Sequence, residues 1–124
     1  MVKVLIVDDS IFSQKVSANL IRKYMNNVEL TFANNGEEGF ELYEEIKPDF
    51  IITDLLMPKL SGQELIRSIK AQDKSAKIIV VSADIQKNIR EEVEAYNVLA
   101  FLNKPLQDEK AQIICNLIRE NMNE

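Results

Sequence analysis

The sequence predicts an α/β fold: a mostly parallel five-stranded sheet, doubly wound, with helices on both faces. Three observations carry this. Short runs rich in aliphatic, often β-branched residues recur five times, segments with helical spacing separate them, and the apolar runs stop at polar residues. Five strand–helix alternations fill the 124 residues, so the chain reads as one domain over 1–124 in a (βα)5 order, with right-handed crossovers.

The first run, residues 3–7 (Lys-Val-Leu-Ile-Val), ends at Asp8-Asp9 and suits a strand covered on both faces. Ser10 is placed to cap a helix that carries Phe12, Val16, Leu20 and Tyr24 on one face. Residues 28–32 alternate apolar and polar with period two, which predicts a strand at the sheet edge. Asn34 or Asn35 starts the second helix, with Phe40, Leu42, Tyr43 and Ile46, and Lys47-Pro48 ends it. Residues 50–53 form the third strand and stop at Asp54, and Leu65, Ile66 and Ile69 mark the helix after Ser61-Gly62. Residues 77–81 stop at Ser82. The helix that follows, residues 86–96, is polar apart from Ile89, Val93, Ala95 and Tyr96, so it is expected to sit shallowly and move. Residues 99–103 read as a fourth buried-type run that stops at Lys104, and the last helix, residues 108–121, is expected to bury Ile113, Ile114, Leu117 and Ile118.

Composition narrows the chemistry. With no histidine, Ser-His-Asp and Cys-His catalysis and imidazole-held zinc are excluded within this chain. The single cysteine, Cys115, cannot close an intrachain disulfide, and no segment resembles a signal peptide, which points to a reducing, cytoplasmic setting. Apolar runs such as Ile78-Ile79-Val80-Val81 are far shorter than the roughly 20 residues a bilayer requires, so no membrane is expected. A net charge of −5 argues against a nucleic-acid partner.

In doubly wound sheets ligands bind beyond the carboxyl ends of the strands. The residues expected there are Asp8, Asp9, Asp54, Ser82 and Lys104. Taken singly, each is as well explained as a helix cap, a turn or solvated surface. Together, three carboxylates without His or thiolate suit Mg²⁺ or Mn²⁺, and a lysine with a hydroxyl beside them suits a tetrahedral oxyanion. The set reads as a phosphoryl-handling site with Asp54 as the nucleophile, and without histidine the phosphoryl group must come from another molecule.

Val7-Asp8-Asp9-Ser10, Asp54 with Met57-Pro58 and Ser61-Gly62, Val81-Ser82-Ala83, and Phe101-Leu102-Asn103-Lys104-Pro105 together resemble the receiver domain of bacterial two-component response regulators, of the CheY-like single-domain kind. The resemblance spans nearly the whole chain. It implies the flavodoxin-like strand order 2-1-3-4-5, phosphorylation of Asp54 by a sensor histidine kinase, and Mg²⁺ held by Asp9, Asp54 and the backbone carbonyl of Leu56, with Asp8 reaching it mostly through water. It implies a cis Lys104-Pro105 bond, with Lys104 on the phosphoryl group, Ser82 closing onto it and Phe101 rotating inward as the switch; core packing is the alternative for Phe101. Leu56 and Asp84 occupy positions that tune phosphate lifetime in this family. Asn97-Val98 stands where Gly-Ala is common, and Asn adopts a left-handed turn readily. The segment Ser82-Ala83-Asp84-Ile85-Gln86 with the Phe101 to Pro105 stretch is also similar to stand-alone receivers that work with CheC/CheX-type phosphatases, in chemotaxis or a neighbouring circuit. Because the chain stops just after the fifth helix, the expectation is a complete single-domain protein whose output is protein contact, with a receiver fragment of a larger regulator as the alternative. Two other classes fit less well. A small Mg²⁺-dependent phosphohydrolase lacks residues for a cap, and a flavodoxin would set its flavin phosphate against Asp8-Asp9.

Overall fold

The computed structural model describes residues 1–83 and 86–122. Strands β1 (Val2–Val7), β2 (Val28–Ala33), β3 (Phe50–Thr53), β4 (Ile78–Ser82) and β5 (Ala100–Asn103) alternate with helices α1 (Ile11–Tyr24), α2 (Gly36–Ile46), α3 (Gly62–Gln72), α4 (Lys87–Glu94) and α5 (Asp108–Glu120). All strand pairs are parallel, in the order β2-β1-β3-β4-β5. The sheet separates two apolar layers. One joins Val4, Ile6, Phe50, Ile52 and Ile79 to Ile21 of α1 and Ile114, Cys115 and Ile118 of α5. The other joins Leu5, Val7, Ile51, Ile78 and Val80 to Leu65, Ile66 and Ile69 of α3 and Val93 of α4.

Alternate residues of the central strands enter opposite layers, as strand geometry requires, and β1, β3 and β4 are therefore apolar almost throughout. β2 lies at one edge with the expected half-burial. β5 departs from the expectation of a fully covered run. It forms the other edge, so Ala100 and Leu102 are half-buried, Asn103 is exposed and only Phe101 is buried.

The helices α1 and α5 also correct the sequence reading. The buried stripe of α1 is Gln14, Ser17, Ala18 and Ile21, whereas Val16, Leu20 and Tyr24 are half-buried at its flanks and Phe12 is 77% exposed. The inner face thus combines Gln14 with the small Ser17 and Ala18 and with Ile21, and Leu20 and Tyr24 pack against the margin of the same core. In α5, Ile113 is exposed and Leu117 half-buried, while Ala111, Ile114, Cys115 and Ile118 form the inner face. Two caps fall where the sequence places them, Ser10 and Asn35 each accepting a backbone N–H in the first turn of α1 and α2, and Ser61 does the same for α3. Asn97 has φ 60, the left-handed turn anticipated for it.

Candidate functional site

Sheet register brings the acids together. Val7 and Thr53 are partners across β1 and β3. The residues that follow them, Asp8 and Asp54, therefore leave adjacent strand ends, and the Asp54 N–H donates to the Val7 carbonyl at 3.0 Å. On the other flank Ser82 pairs with Asn103. Lys104 follows, and its N–H donates to the Ser82 carbonyl at 3.0 Å. Asp8, Asp54, Ser82 and Lys104 are thus brought together by strand pairing alone.

Lys104 is the hub. Its Nζ donates to Asp8 Oδ2 at 2.9 Å and to Asp54 Oδ2 at 2.8 Å, and lies 3.5 Å from the Ser13 hydroxyl. Burial pulls the ammonium's pKa down, but hydrogen bonds to Asp54 and Asp8 and their charges outweigh it, so the net shift is upward from 10.5. The remaining carboxylate oxygens are held by backbone: Asp8 Oδ1 accepts from Ser10 N–H at 2.9 Å, and Asp54 Oδ1 from Leu55 N–H at 2.7 Å. Asp8, Asp54 and Ser82 are buried; Asp9 is exposed.

The β3–α3 loop is pressed against this strand end. Gly62 N–H donates to the Leu55 carbonyl at 2.9 Å, and a Cβ on Gly62 would overlap the Asp54 carbonyl oxygen. Lys104-Pro105 is cis, as the resemblance implied. Phe101 is already buried, with the Arg90 guanidinium 5.1 Å from its ring centroid. Leu56 is 60% exposed beside the site. Asp84 lies outside the described residues.

Oxygens of Asp8, Asp9 and Asp54 all lie within 4.8 Å of one another. The donors are oxygen only, and a single ammonium cannot neutralise three carboxylates. This set fits a hard divalent cation of the Mg²⁺ or Mn²⁺ type rather than zinc or copper.

Gln14 was missed by the sequence reading. Its amide Nε2 donates to the Asp8 carbonyl at 2.7 Å and to Asn34 Oδ1 at 2.8 Å. The available signal was the spacing of Gln14, Ser17, Ala18 and Ile21, a helical stripe that a search for large apolar residues passes over.

A parallel (βα)5 sheet whose strand ends gather three carboxylates, a lysine and a buried serine defines a phosphoryl-handling α/β protein. The model of the response regulator receiver domain matches residues 4–115, and the chain belongs to that family. It is 34% identical over 110 residues to the chemotaxis protein CheY of Listeria monocytogenes, covering 89% of this chain and 92% of that one. To CheY of Thermotoga maritima it is 38% identical over 105 residues, 85% and 87% of the two chains. Among solved structures, the CheX–CheY–BeF3–Mg²⁺ complex from Borrelia burgdorferi contains a chain with a TM-score of 0.85 and 26% identity, covering 99% of this chain and 90% of that one. The chain is thus a two-component phosphorelay response regulator domain, and its acidic group is of the kind at which receivers bind Mg²⁺. This family assignment displaces the phosphohydrolase and flavodoxin readings. Among the described residues no helix is long and apolar enough to cross a membrane.

Proposed function

We propose that the chain, over 1–124, is a cytoplasmic phosphoacceptor switch in which Asp54 takes a phosphoryl group from a sensor histidine kinase. The observation that carries this reading is Lys104 bridging Asp8 and Asp54 at the strand ends. Asp8, Asp9, Asp54 and the Leu56 backbone carbonyl would hold Mg²⁺ or Mn²⁺, which when bound supplies charge neutralisation at the phosphoryl oxygens. A carboxylate oxygen of Asp54 attacks phosphorus, the phosphorus–nitrogen bond of the donor phosphohistidine breaks, and its electron pair returns to the imidazole nitrogen. Lys104 then donates to the phosphoryl oxygens in place of one of its carboxylates, and the Ser82 hydroxyl donates from the neighbouring strand end. Leu56, exposed at the mouth, and Asp84 would tune access of the water that reverses the reaction.

New bonds to Ser82 and Lys104 pull on the ends of β4 and β5, and the chain beyond β4 leads into α4. Phe101, packed beneath Arg90, is placed to carry that movement to the α4–β5 surface. Output is therefore contact with a protein target rather than with nucleic acid or membrane. The CheY relatives support a role in chemotaxis, and the CheX–CheY complex supports a CheC/CheX-type phosphatase as a partner. The exposed Ile11, Phe12 and Leu56 offer apolar surface near the site for such partners.

Intact mass after incubation with acetyl phosphate tests the reading. A gain of about 80 Da, one phosphoryl group on a carboxylate, is expected only with Mg²⁺ and only while Asp54 is present. Full labelling of Asp54→Asn at another site would remove Asp54 from its role.

A further inference from the structure

α1 buries a polar side chain that bonds the backbone of one acid of the site. Gln14 is 7% exposed. Besides the Asp8 carbonyl and Asn34 Oδ1, its Nε2 reaches the Ala33 carbonyl at 3.3 Å. These acceptors lie at the C-terminal ends of β1 and β2 or just beyond them. Asn34 is itself anchored: its backbone N–H donates to Glu38 Oε1 at 2.6 Å, while Asn35 Oδ1 accepts from Glu38 N–H at 2.8 Å. The far end of the Gln14 bond is therefore tied to the first turn of α2.

The Asp8 carbonyl belongs to the planar peptide that joins Asp8 to Asp9. Fixing that carbonyl fixes the direction of the Asp9 amide, and so the point from which the Asp9 side chain departs. Asp8 and Asp54 have Lys104 to hold them. Asp9 is exposed, so its carboxylate is placed by its backbone more than by packing around it.

We propose that Gln14 is a positioning residue for the divalent-cation site: it locks the Asp8-Asp9 peptide against the β2–α2 loop and keeps Asp9 in reach of Asp8 and Asp54. The inference rests on the metal-dependent phosphoacceptor reading above. Its consequence is specific to metal affinity, because Gln14 bonds backbone and Asn34 rather than the phosphoacceptor carboxylate.

The test is calorimetric titration of Mg²⁺ into the full chain with no phosphoryl donor present. Gln14→Met keeps the length and volume but removes the donor, and should weaken Mg²⁺ binding on the order of 10-fold, as loss of a group that orients a ligand does. Asn34→Ala, at the far end of the same bond, should weaken it about 2-fold to 3-fold by the same logic. Labelling by acetyl phosphate at saturating Mg²⁺ should stay within about twofold of native in both, the signature of lost ground-state binding alone. Ile118→Val, a core change in α5 remote from these residues, should lower stability and leave the Mg²⁺ affinity where it was. Native-like affinity in Gln14→Met would overturn the proposal. Should Gln14→Met not fold, native-like affinity in Asn34→Ala would do so, as would an equal loss in Ile118→Val. If the native chain itself binds no Mg²⁺, the site reading fails first and this inference with it.

Discussion

Helices α3 and α4 pack into the same layer of the core, yet they are held very differently. α3 has eleven residues, buries Leu65, Ile66 and Ile69, and begins with a capping box in which Ser61 and Glu64 satisfy each other's backbone groups. α4 has eight residues and buries Val93 alone. At roughly 2 kcal/mol per buried aliphatic side chain, three against one is a difference of several kcal/mol in docking. The loop between β3 and α3 is pressed against the strand end that carries Asp54, whereas the segment between β4 and α4 follows Ser82. Under the proposed function this contrast is a division of labour: the acidic group lies beside the firmly held helix, and the loosely held one is free to report.

The largest expected effect lies on the chemical side. Lys104→Met should slow labelling of Asp54 by acetyl phosphate on the order of 100-fold, the usual loss when a donor to developing charge is removed, measured as the rate of mass gain. A native rate would mean that the hub contributes only to folding. Next, Gly62→Ala should cost about 1–3 kcal/mol, since the new Cβ meets the Asp54 carbonyl and the loop must shift. Urea unfolding reads this, and an unaltered midpoint would show that the loop is not pressed on the strand. A smaller effect bears on the two helices directly. Ser61→Ala should cost about 1 kcal/mol through the lost cap, and amide exchange in α3 should quicken toward that of α4. Exchange in α3 that is no slower than in α4 before the change would erase the distinction. The last effect is one of direction only. Because Lys104 is raised above 10.5 in the folded chain, its pairs contribute stability that is fully present below that value and is lost as pH rises through the folded value. Native protein should weaken there, and Lys104→Met should lack that component of the alkaline loss.

Much of this was legible in the sequence, for identifiable reasons. Asp8, Asp54, Ser82 and Lys104 could be placed because each ends or follows an apolar run, and parallel strands align their carboxyl ends. The shallow packing of α4 could be read from its sparse apolar content, with Val93 as its one buried residue. Other features were hidden because they depend on partners distant in sequence. Leu99-Ala100-Phe101-Leu102 looks like a buried strand from its apolar run alone, and only the strand order implied by the family resemblance puts it at the edge. Phe12 looks like a core residue on a helical wheel, but it stands beside the cleft formed with Lys104, Pro105 and Leu106. Gln14 looks like surface, and its burial becomes intelligible only when the Asp8 carbonyl and Asn34 are known to face it.

In the proposed function a phosphoryl group received at a rigid strand end is read out at α4 and β5. Hydrogen–deuterium exchange by mass spectrometry can follow this readout, comparing the native chain and Asp54→Asn in the same Mg²⁺ and acetyl phosphate. Protection over α4 and β5 should change in the native chain alone, with α3 unchanged in both. Equal protection of α4 in labelled native protein and Asp54→Asn, or a change confined to α3, would contradict it.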